Sequence, residues 1–209
     1  WETDRPIKQE TADIGAGIQV PIAITGPSSH GWWALNTLMV VIGMIGFMAL
    51  FAYLYLYGIN PEVWSAPPPL GETALIVGLE ASALLGAWGG RKVLARRHGK
   101  HPGDLPWMIE ALAVALLVGA LWLDVAGWQA TGLGPTKNGM GATVFMLAVL
   151  QAQVLIVAVI MAIYLALREA RGIMTTPTNV TMDVVGRFVA FCAVQGMVFT
   201  ILPRVFPGA

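Results

Sequence analysis

Hydrophobic and polar positions alternate in long blocks rather than at the period of a helix face or a strand. No charged residue lies between His30 and Glu62, and none lies between Lys137 and Arg168. Each gap exceeds the roughly 20 apolar residues that carry a helix across a bilayer core of about 30 Å. Charges and turn residues divide the chain into five apolar spans. They run approximately over 32–57, 72–94, 105–128, 139–168 and 183–202, behind a tail or linker at 1–31. Gly58-Ile59-Asn60-Pro61 ends the first span, and Ala66-Pro67-Pro68-Pro69 cannot continue a helix into the second. Pro106 suits a first helical turn, and Pro203 is expected to stop the fifth span. The predicted fold is all-α, a polytopic five-helix membrane bundle forming one domain over 32–209.

Composition sharpens this picture. Hydrophobic residues make up 56% of the chain and charged residues 11%, where a soluble domain carries about 25% charge. The net charge is zero, which argues against nucleic-acid binding. Cys192 is the one cysteine, so the chain can form no internal disulfide. The tail lacks the pattern of a secretory signal. The first residue is Trp1 rather than Met, as expected of a processed, cut or longer chain.

Positive charge predicts direction. Arg5, Lys8, Arg91, Lys92, Arg96, Arg97, Lys100, Arg168, Arg171 and Arg187 fall on one side of the spans, and Lys137 and Arg204 on the other. Positive loops stay cytoplasmic, so the N-terminus is expected inside and the C-terminus outside. The cluster Arg91, Lys92, Arg96, Arg97 and Lys100 is expected to face anionic headgroups. Trp32, Trp33, Tyr53, Tyr55, Tyr57, Trp64, Trp107 and Trp128 read as interfacial belts.

Small residues at four-residue spacing let helices approach closely in lipid. Gly78, Ser82, Gly86 and Gly90 form such a row on span two, Ala158, Ala162 and Ala166 on span four, and Cys192, Gly196 and Thr200 on span five. The partner of each row, another span or another subunit, stays open at this stage.

Candidate chemistry is sparse. His30, His98 and His101 lie in the tail or a loop, whereas a haem or copper centre in the membrane needs histidines inside the spans. No phosphate loop or nucleophilic triad is present, so no catalytic or metal residue is assigned. The ionisable or amide residues within spans remain: Glu80, Asp124, Gln151 and Gln153 are candidates for a buried polar group or a lipid cleft. Glu80 is the deepest, and a carboxyl at that depth is a functional-site candidate by default. It lies about 200° around the helix from Gly78 and Ser82, so it should face another helix or a polar cleft. Glu110 and Arg187 sit near the cytoplasmic ends and are expected to snorkel, and Asp124 is expected at the outer interface. On this reading Glu80 has no second deep carboxyl beside it, and the absence of broken spans or inverted repeats argues against a transporter.

The order of these features resembles subunit III of the haem–copper cytochrome oxidases. Trp32-Trp33-Ala34-Leu35 through Tyr53-Leu54-Tyr55-Leu56-Tyr57 and on to Trp64-Ser65-Ala66-Pro67-Pro68 is similar to the family's third helix and its Trp-Pro-Pro loop. Gly141-Ala142-Thr143-Val144-Phe145 resembles the family's Gly-Ser-Thr-Phe-Phe. Arg187-Phe188-Val189-Ala190 sits where the family has His-Phe-Val-Asp. The likeness covers about residues 29–206 and matches the short, five-helix form. The stretch from Ile14 to Trp33 also looks like the entry to the III region of a fused subunit I and III. Three family positions depart: Ile45 replaces a glutamate, Leu150-Gln151-Ala152-Gln153-Val154 replaces Phe-His-Gly-Leu-His, and Ala190 replaces the aspartate. Roles that the family gives those residues do not carry over.

The resemblance implies a non-catalytic subunit of a bacterial inner-membrane terminal oxidase. Subunits I and II would be its partners, haem and copper would sit on those partners, and this chain would carry no cofactor of its own beyond phospholipid held in a V-shaped cleft. The alternatives are a subunit-III-like component of a nitric oxide reductase or quinol oxidase, or a free-standing small channel or transporter.

Overall fold

The computed structural model describes residues 11–13, 19–21, 30–96, 105–171 and 180–206. Among the described residues, five α-helices form: α1 His30–Ile59, α2 Leu70–Arg96, α3 Leu105–Ala130, α4 Gly139–Ala170 and α5 Val180–Val205. All five contain a stretch long and apolar enough to cross a membrane. The protein is a multi-pass helical membrane protein. Ahead of the helices, β1 Thr11–Asp13 and β2 Gln19–Pro21 pair antiparallel, Ala12 opposite Val20. The sequence had placed only a tail there.

The helices overrun their predicted ends by a few residues, because charge ends a lipid-soluble stretch without ending the hydrogen bonding of a helix. Pro203 shows this most clearly. It lies inside α5 rather than stopping it. Proline removes one backbone donor, and near a helix end that loss is small. The final carbonyls, which have no partner within a helix, are met from outside: Tyr53 Oη on α1 lies 3.1 Å from both Pro203 O and Phe206 O. At the start of α4, Asn138 caps the helix by accepting from Gly141 N–H at 2.7 Å. Residue 141 must be glycine, since the carbonyl of Gly134 occupies the space of a β-carbon.

Helices α2 to α5 form the body of the bundle, and α1 lies along its flank against α4 and α5. Burial ranks them. In α5, 56% of the membrane-crossing stretch is buried, against 17% in α1. The outer surface of α1 presents Val40, Met44, Phe47, Met48 and Phe51. In a lipid solvent such a surface is satisfied without cover, since every backbone polar group is bonded within the helix.

The main core joins Ala83 and Ala87 of α2, Ala113 and Leu117 of α3, Leu155 and Ala158 of α4, and Val185, Phe188 and Ala193 of α5. A second cluster, at the end holding Trp128, packs Tyr53, Trp64, Trp128, Leu133, Met140 and Val144 together. Tyr53, Trp64 and Trp128 are therefore core residues here and not parts of an interfacial belt. Trp33 and Tyr55 are exposed, as a belt requires.

The small-residue rows have definite partners. On span four Ala158 and Ala162 are buried, and on span five Cys192, Gly196 and Thr200 all are. The row on span two is half right. A β-carbon at Gly86 would touch Ala113 Cβ at 3.6 Å, and one at Gly90 would meet Glu110 Oε1 at 3.3 Å, so α3 packs there. Gly78 and Ser82 are exposed, with nothing near Gly78. The buried face of α2 runs instead through Ile76, Glu80, Ala83, Ala87 and Gly90.

Candidate functional site

The face of α2 that carries Glu80 points into the bundle, where α3, α4 and α5 each contribute a polar side chain. The predicted group assembles in part. Glu80, Asp124 and Gln151 all line one small cavity, together with Thr200 and Gly196 of α5. All three are buried. Gln153 is not among them. It is exposed on the outer surface of α4, because two residues along a helix turn the side chain by about 200°.

The geometry follows from α5. Gly196 forms a notch: a β-carbon there would meet Glu80 Oε1 at 2.5 Å and Gln151 Nε2 at 3.1 Å. The heads of Glu80 and Gln151 therefore meet over one glycine. Four residues on, Thr200 Oγ1 donates to Glu80 Oε1 at 3.4 Å. Gln151 Nε2 donates to Cys192 O at 2.9 Å, which turns its carbonyl oxygen away from α5's backbone.

Asp124 is held by a residue the sequence had counted only as an outside charge. Arg204 Nη2 lies 2.7 Å from Asp124 Oδ1, with side-chain exposures of 3% and 12%. This is an ion pair whose angles fall outside hydrogen-bond geometry. Arg204 Nη1 donates to Thr200 O at 2.9 Å, and the guanidinium stands 5.1 Å from the centre of the Trp128 ring. Asp124 is thus a buried, paired group. The expectation that Glu80 has no second deep carboxyl is also overturned, since Asp124 lines the same cavity.

The remaining ionisable residues do not join this group. Glu110 is fully buried against Gly90 instead of snorkelling. Arg187 pairs with Asp183 at 2.7 Å and lies 5.8 Å from the Trp32 ring centre. Arg168 donates to Tyr164 Oη at 3.1 Å. Arg91, Lys92 and Arg96 fall in the last turns of α2. Arg97, His98, Lys100 and His101, like Arg5 and Lys8, lie outside the described residues, and His30 is the first residue of α1.

Chemically, the arrangement can hold and order charge. Two carboxyls and one guanidinium share an apolar surround, and the residues bearing the carboxyls line a space of water size. Among the described residues, no group of three or more His, Cys, Asp or Glu is placed to hold a metal ion. No known family model matches the chain, and no curated protein matches it.

Proposed function

We propose that this chain is a non-catalytic integral membrane subunit of a bacterial aerobic terminal oxidase. It would sit in the inner membrane beside a haem–copper subunit I and a subunit II, with its N-terminus inside and its C-terminus outside. Its task would be to cover one flank of subunit I and to keep phospholipid in place there, while the partner reduces dioxygen and pumps protons.

One observation carries the reading. The two best segments of the subunit III likeness, far apart in sequence, pack together as a unit. Ser65 N–H donates to Met140 Sδ at 3.2 Å. Trp64 stacks edge-on against Tyr53 and Tyr57, at 5.7 and 5.9 Å, and shares a core cluster with Met140 and Val144. The Trp64 exit and the Gly-Ala-Thr-Val-Phe opening thus lie against each other, which supports reading them as one feature. The sparsely buried α1 supplies a long apolar face for a partner or for lipid.

The test is a native purification. A complex captured through this chain should carry a haem absorption band and oxidise a respiratory donor with dioxygen. A pure, folded preparation without haem would overturn the proposal. A second reading, a small channel or transporter, draws on Glu80, Asp124 and Arg204 inside the bundle, since intramembrane charges mark ion pathways. The haem-free result would favour it.

A further inference from the structure

The cavity between α2, α3, α4 and α5 measures about 10 Å³, the size that holds one water molecule. Glu80, Asp124, Gln151 and Thr200 line it and are exposed by only 4, 9, 5 and 2%. Three of their oxygens accept no hydrogen bond: Glu80 Oε2, Gln151 Oε1 and Asp124 Oδ1, the last beside Arg204 in the ion pair. Buried polar atoms in folded proteins are paired, with protein or with ordered water. Three acceptors on the residues that line one water-sized space lack a hydrogen-bond donor, and a water can supply two.

Charge completes the argument. Asp124 is offset by Arg204. Among the described residues, the cation that acts on Glu80 is the same Arg204, already held by Asp124. Its neighbours are Thr200 on α5 and Gln151 on α4, and the α4 residues lining the cavity include no ionisable group. Glu72, two turns away on α2 and lodged against Gly127, lies outside the cavity lining. The group thus carries one uncompensated negative charge if Glu80 is ionised, and an unpaired ion buried in an apolar surround costs several kcal/mol. One bound monovalent cation removes it, and a proton is the smallest.

We propose that this cavity is a one-proton, one-water site. Glu80 Oε2 carries the proton and donates it in a hydrogen bond to the water. The water donates in turn to Gln151 Oε1 and Asp124 Oδ1. Three hydrogen bonds satisfy the water, and all three open oxygens gain a partner. The proton rests on Glu80 because Asp124 already has its cation. The site belongs to the chain itself and does not depend on which assembly contains it.

Infrared spectroscopy of the purified chain in lipid nanodiscs at neutral pH tests this. The wild-type-minus-Glu80→Gln difference should contain a carboxylic C=O band that shifts down in D2O. The same band should persist in Asp124→Asn. Gln151→Met, which removes one of the water's acceptors, should shift the band without abolishing it. A difference spectrum with no carboxylic band overturns the proposal. So does a band lost in Asp124→Asn, or a band unmoved by Gln151→Met. A sodium-dependent rise in Tm that Glu80→Gln abolishes would mean that a metal cation fills the cavity, and would also overturn it.

Discussion

Arg204 reaches from the last turns of α5 to Asp124 on α3, 2.7 Å away, and both side chains are almost wholly enclosed. Taking two charges out of solvent is costly, and their attraction offsets the cost only while both are present. Removing one partner leaves the other buried and bare. Asp124→Ala and Arg204→Met should each lower stability by about 3–5 kcal/mol. The double variant should recover much of that loss, because it buries no unpaired charge. Thermal unfolding of the four proteins in one detergent checks this, and additive losses would show that the pair is not coupled.

Gly196 is the notch that admits the Glu80 carboxyl. Gly196→Ala should destabilise the bundle by about 1–3 kcal/mol, the usual penalty of overpacking. The same change should be milder in a Glu80→Ala background, where the obstructing oxygen is gone. Equal penalties in both backgrounds would mean that the β-carbon meets something other than Glu80.

Two glycines of the small-residue row on α2 should behave differently. Gly86→Leu collides with Ala113 and Ile109 on α3 and should impair folding of the isolated chain. Gly78→Leu points into open space and should be tolerated. Denaturation of both variants in detergent decides it, and a tolerated Gly86→Leu would refute the α2–α3 seam.

Orientation rests on charge. The cluster from Arg91 to Lys100 opposes translocation. A cysteine at Lys100 should therefore resist a membrane-impermeant thiol reagent in right-side-out cells, and one at Lys137 should react. Both proteins carry Cys192, which is buried and serves as the unreactive background. The opposite labelling would invert the topology.

The contrast between spans and site has a physical basis. Bilayer thickness acts on every residue of a span, so composition alone announces α1 to α5. The site depends on which faces of four helices meet, and one helix's sequence does not encode its neighbours' rotation. Glu80 was legible as a deep carboxyl on the side away from Gly78. Its convergence with Asp124 was not, because Arg204 reads as a terminal charge until α5 is seen to pass beside α3. Gln153 failed for a reason the sequence did contain: it lies two residues from Gln151, and the turn that separates Glu80 from Ser82 separates these two as well. Trp128 misled because an aromatic ring at a span's end is equally at home under a headgroup or under a guanidinium.

The Tyr53 hydroxyl has a mechanical meaning. Its contacts with Pro203 and Phe206, the Tyr57–Phe206 edge contact at 6.0 Å and the Trp64 cluster all lie near the Ile59 end of α1. Toward His30 its buried contacts thin to single side chains such as Leu35. A helix fastened at one end peels from the other. Under force or in harsh detergent α1 should leave the bundle from the His30 end first, like a door swinging on a hinge at Tyr53, and its amides should exchange in that order while α5 stays protected.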